Sequence, residues 1–193
     1  MEYHEEQYGF ASLLFDSLFG LVIYFSLDSF LEITEPLHLI FYLFTLVVVI
    51  HWWLMFKSAS EMFGKITQRS ATNIVLNIIY IIVIQYYILM AAVFAYNQAI
   101  IFVFILFMVD LLWCLLWARL LPKRAQGHKH LPTMLVEIFN IIKSNMVVVF
   151  VLLFLIIANK FLPTWLYVFI FIADYIVYIV ITFKYKIIDL KVV

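Results

Sequence analysis

Six long runs of apolar residues, separated by short polar stretches, organise the chain. A helix needs ~20 mainly apolar residues to cross the hydrocarbon of a bilayer. The runs meet that length at Tyr8–Leu31, Pro36–Phe56, Ala71–Tyr96, Ala99–Leu121, Thr133–Ala158 and Pro163–Phe183. Pro36, Pro122, Pro132 and Pro163 all fall at the edges of runs, where helices start or stop, and only Gly20 lies deep inside one. The pattern predicts an all-α polytopic membrane protein: one domain over residues 1–193, built as a bundle of six straight transmembrane helices.

Charge orients that bundle. With six spans both termini share a side with the second and fourth connections, and that side carries ten of the basic residues, from Lys57 to Lys191. Lys160 stands alone on the other side, whose first loop holds Glu32 and Glu35. The positive-inside rule then places both termini in the cytoplasm. Trp52, Trp53, Trp113, Trp117 and Trp165 lie toward span ends, as an interfacial aromatic belt requires.

Composition excludes the alternatives to a membrane protein. The 193 residues are 67% hydrophobic and 12% charged, with a mean hydropathy of +1.11, against ~25% charged in a soluble domain. A net charge of zero gives no footprint for a nucleic acid. Cys114 is the lone cysteine, so no intrachain disulfide and no cysteine-based metal cluster is expected. The acidic start, Met1–Gln7, lacks the basic opening of a cleaved signal peptide, so the first run is expected to stay in the mature protein. Neither end carries a lipidation motif. Between the fourth and fifth runs, Lys123–Pro132 is a basic, solvated loop. Its His128 and His130 lack a third ligand, so no metal or other cofactor is expected.

Ionisable groups inside hydrocarbon are costly and mark function or pairing. Asp16, His51 and Asn77 each fall ~10 Å from the cytoplasmic end of their spans, which allows one hydrogen-bonded cluster serving as interhelical glue or as a gate anchor. Asp110, Lys143 and Asp174 lie at ~15 Å, where Lys143 can pair with either acid or the three can relay protons. On the first helix Ser17, Leu21, Tyr24 and Asp28 form one narrow stripe, with Asp16 pointing well away from it. Such a stripe suits a water-filled axis, with Leu21 as the constriction and Asp28 drawing cations to the outer mouth. The same stripe also suits an ordinary packing face whose Asp28 reaches the interface.

The run Leu14-Phe-Asp-Ser-Leu-Phe-Gly-Leu21 resembles the Phe-Ser-Asp-x-x-Phe-Ala-Ile opening of the first helix in the transmembrane protein 175 family. Asp28 falls where that family often ends its first helix with an acid, Thr45 and Trp53 keep the spacing of a Ser and a Trp in its second, and Leu76-Asn77 matches its Leu-Asn. The specific matches cover about the first 85 residues. The chain departs from the pattern at Phe10, where the family has Arg, at Leu14-Phe15 in place of Phe-Ser, and after Trp53, where the family's His is missing. The resemblance implies that His51, two residues before Trp53, fills the place of that His. The resemblance implies a six-span, mainly potassium-conducting cation channel, a homotetramer in prokaryotic plasma membranes. It also implies that Leu21, five residues after the motif Asp16, forms the hydrophobic pore ring.

Several classes lack their signature. The chain has no Thr-Val-Gly-Tyr-Gly-like filter, no row of arginines for voltage sensing, no mid-span Pro for unwound transporter helices and no facing His pair for haem. No hydrolase or metalloprotease motif is present, so an enzyme is not expected. Three readings stay open. The first is a homo-oligomeric channel for monovalent cations, lined by Ser17, Leu21, Tyr24 and Asp28 and braced by Asp16, His51, Asn77 and Trp53. The others are a proton-coupled carrier using Asp110, Lys143 and Asp174, and a non-conducting scaffold whose partners are lipids and other subunits.

Overall fold

The computed structural model describes residues 2–64, 71–124 and 131–184, and among them all regular structure is α-helical. Six helices follow in order: α1 (Glu2–Phe30), α2 (Pro36–Gly64), α3 (Ala71–Phe94), α4 (Tyr96–Arg124), α5 (Leu131–Ala158) and α6 (Thr164–Lys184). Several outrun the apolar runs that predict them, because helical hydrogen bonding continues into polar flanks. His128 and His130 lie outside the described residues.

Proline chemistry explains three of the six helix starts. Pro36 opens α2, where a preset φ helps and the absent N–H costs nothing, while the Glu35 carbonyl accepts from Leu39 N–H at 3.0 Å. Pro132 is the second residue of α5, another position whose N–H has no helical acceptor. Pro163 precedes α6, and its carbonyl accepts from Leu166 and Tyr167 at 3.0 and 3.1 Å. Pro122 differs from expectation. It lies inside α4, which runs on to Arg124, since in the last turn proline forfeits one bond without bending a long element. The break between α3 and α4 also differs: it is Ala95 alone, rather than Asn97–Gln98. Ala95 N–H donates to Ala91 at 2.8 Å and its carbonyl accepts from Ala99 at 3.2 Å.

Two compact units divide the chain after Ala99. In the first, α1 packs chiefly on α3, and α2 packs on α3 and more narrowly on α1. Phe15 and Val22 of α1, Phe41 and Val49 of α2, and Ile88 and Leu89 of α3 are buried there. His38 Nε2 donates to the Ala92 carbonyl at 2.7 Å, and its ring lies 4.6 Å from that of Tyr96. In the second unit α5 packs on α6. Phe107 of α4 meets the Tyr178 ring edge-on at 4.9 Å, with Tyr175 and Phe171 continuing the aromatic core.

The outer surface is apolar as well. On α5 the exposed side chains include Phe150, Phe154 and Ile157, and on α6 Phe169, Val177 and Val180. Water would penalise such a surface, whereas lipid accommodates it. Four helical stretches have the length and apolarity to cross a membrane: Pro36–Ser58, Tyr96–Pro122, Leu131–Ala158 and Thr164–Lys184, with a shorter apolar stretch at Tyr80–Phe94. The chain is thus a multi-pass, all-α membrane protein. Its tryptophans divide by role. Trp165 is exposed in the first turn of α6, while Trp52 and Trp117 are buried, so packing rather than an interfacial belt accounts for those two.

Candidate functional site

Helix α1 has two opposite faces. Phe15, Val22 and Ser26 turn inward, at 2%, 5% and 0% exposure. Some 120–180° around the helix from the centre of that edge, at 100° per residue, Ser17, Leu21, Tyr24 and Asp28 are all exposed, Leu21 at 50% and Tyr24 at 63%. The Ser17 hydroxyl donates to the Leu13 carbonyl at 2.8 Å, leaving its oxygen lone pairs outward. Tyr24 packs edge-on against Phe25 at 5.7 Å. Gly20 flanks the stripe, and a side chain built there meets nothing within 4 Å. Four residues that helical spacing places together thus form one open ridge, combining two hydroxyls, one aliphatic group and one carboxyl.

Asp16 leaves that ridge, as expected, and is held by α2. Trp53 Nε1–H donates to Asp16 Oδ1 at 2.9 Å, and Lys57 Nζ lies 3.5 Å from Oδ2. The Lys57 ammonium also sits 5.1 Å over the Trp53 ring, which stacks on Phe19 at 5.3 Å. Lys57 is the member of this cluster that sequence reasoning misses. Its signal was its position four residues after Trp53, one helical turn along the same face. His51 is buried on α2 at 4% exposure, two residues before Trp53 and so turned well away from it. The side chain of Asn77 lies outside the described residues.

In the second unit the acid Asp110 is met by an amide instead of an ammonium. Asn145 Nδ2 donates to Asp110 Oδ2 at 2.5 Å, and Tyr178 OH donates to Asn145 Oδ1 at 2.9 Å. Cys114 Sγ lies 3.8 Å from the same carboxyl oxygen, one turn along α4. The result is a directed line of bonds from α6 through α5 to α4. Lys143 does not join it. Its side chain is exposed, and it makes no ion pair among the described residues. The cause is helical phase, since two positions correspond to about 200° and Asn145 takes the inward direction. Asp174 is half-buried on α6, with Oδ2 buried and without a hydrogen-bond partner among the described residues.

Ridge and networks offer different chemistry. The ridge can line water or pack on another helix, and its only ionisable carboxyl is Asp28. The two networks fix helices to one another, and neither gathers a metal-binding set among the described residues. Compared with family models, with curated proteins and with solved structures, the chain finds no match.

Proposed function

We propose that this protein is a homo-oligomeric channel for monovalent cations, with α1 of each copy lining a shared central conduit. The protomer is read as six-spanning with both termini in the cytoplasm, and the membrane as a prokaryotic plasma membrane. One observation carries this reading: Ser17, Leu21, Tyr24 and Asp28 are all exposed along one edge of α1, while the opposite edge is buried. A carboxyl and two hydroxyls aligned on one edge of an apolar helix favour water over lipid. Copies arranged about a symmetry axis supply that water. Leu21 then forms the narrow apolar ring and Asp28 a ring of charge at the outer mouth. Resemblance to the transmembrane protein 175 family adds potassium permeability and a tetramer to the same reading.

Purified protein in planar bilayers tests it. Stepwise cation currents are expected, with Leu21→Asn raising the open probability or conductance and Asp28→Asn lowering cation conductance several-fold at low salt. Silence across pH 5–8, with oligomers present, overturns the channel.

The partly buried acids Asp110 and Asp174, both in the second unit, favour a second reading, a proton-coupled carrier. It predicts saturable, pH-driven uptake that Asp110→Asn or Asp174→Asn abolishes. Channel currents would survive both changes.

A further inference from the structure

A polar layer crosses the apolar core of the first unit. Ser26, Thr45 and Gln85 are each 0% exposed, and they belong to α1, α2 and α3 respectively. Each sits in the inward stripe of its helix. Ser26 lies one turn beyond Val22, Thr45 one turn beyond Phe41, and Gln85 one turn before Leu89.

Their heights agree. The His38–Ala92 bond ties the start of α2 to the end of α3. The six residues linking these helices reach at most ~25 Å, so the far ends stay near each other and the helices run antiparallel. Thr45 is seven residues on from His38 and Gln85 seven back from Ala92, which sets them level. The 2.9 Å bond from Tyr42 OH to the Ser26 carbonyl brings Ser26 within roughly one turn, ~5 Å, of that level.

The hydrogen-bonding inventory of the layer does not balance. Ser26 and Thr45 spend their protons on the carbonyls of Ile23 and Phe41, both at 2.8 Å, and each oxygen keeps acceptor capacity. Gln85 presents two N–H donors and a carbonyl, and neither end has a partner among the described residues. Buried polar groups in native proteins are satisfied by protein or by ordered water. The group that completes this layer must donate to Gln85 Oε1, accept from Gln85 Nε2, and be small. It must also be neutral, because the buried polar residues described in this unit include no carboxylate to balance a cation.

We infer that the first unit binds a buried water molecule in this layer, which accepts from Gln85 Nε2 and gives its two protons to Gln85 Oε1 and the Thr45 hydroxyl oxygen, at the level of Ser26. The water joins α2 to α3 at this level, with the three or so hydrogen bonds usual for such sites. It lies on the reverse of α1 from the exposed ridge, so it stands whether or not that ridge conducts ions.

Nuclear magnetic resonance on the full chain in nanodiscs tests this. The sequence has five glutamines, so glutamine-selective nitrogen-15 labelling gives few side-chain signals. That of Gln85 is identified by its loss in Gln85→Leu, or in Gln85→Glu where the leucine variant does not fold. The expected result is a rotating-frame Overhauser cross-peak between this amide and water, opposite in sign to chemical exchange. Thr45→Val should weaken it at least two-fold, and sodium, potassium and choline buffers should leave it unchanged. Absence of the cross-peak overturns the site. So does a cross-peak indifferent to Thr45→Val, and cation dependence would replace the water with an ion.

Discussion

Asn145 donates to Asp110 and accepts from Tyr178, so one amide satisfies polar groups on two other helices. Asn145→Ala removes both partners at once, and each buried group left unsatisfied costs about 1–3 kcal/mol. Thermal unfolding in detergent should show the loss as a fall of several degrees in Tm. The triple replacement Asp110→Leu, Asn145→Leu and Tyr178→Phe should recover part of it, since exchanging all partners for apolar groups approaches neutrality. An unchanged Tm for Asn145→Ala would mean that the line of bonds contributes nothing to stability. Asp110 was legible in the sequence because an acid stands out in an apolar run. Asn145 was not, since amides are common interhelical glue and Lys143 offered the more obvious charge. Sequence gives depth along a helix well, but the choice between positions two apart depends on rotation, which only packing fixes.

At the scale of the element, α1 is the helix whose two sides carry the argument. Its stripe was readable from 100° steps alone, because Ser17, Leu21, Tyr24 and Asp28 fall on one side of the helix and Phe15, Val22 and Ser26 on the other. Helix ends were less readable. Pro122 and the Asn97–Gln98 pair look like breaks, yet α4 contains both, because continuous backbone bonding outweighs one local preference. Gly20 connects the element to assembly. Glycine inside a helix costs roughly 0.5–1 kcal/mol relative to alanine, and among the described residues nothing lies within 4 Å of a side chain built there. Close approach by α1 of a neighbouring copy would explain its place. Gly20→Leu is therefore expected to leave protomer unfolding unchanged or slightly raised, while cutting the oligomer fraction at least several-fold in native mass spectrometry. An intact oligomer would remove α1 from the subunit contact.

For the whole molecule, the number of crossings decides which surfaces meet which solution. Four helical stretches have the length and apolarity to cross a membrane, and the proposed protomer adds α1 and α3. Counting α1 and α3 as spans puts Lys160, in the short turn after α5, opposite the basic connections. Leaving out either one reverses the side on which one end of the chain emerges. Labelling can distinguish these arrangements because the only cysteine, Cys114, is buried, and a thiol shielded from solvent reacts slowly with a membrane-impermeant maleimide. Lys160→Cys should label rapidly on intact cells, whereas Gln7→Cys and Lys186→Cys should label only after lysis. Labelling of either terminal position on intact cells would require an odd number of crossings or the reverse orientation. A reversed orientation would move Asp28 to the cytoplasmic mouth, where a ring of carboxylates would gather cations leaving the cell instead of entering it.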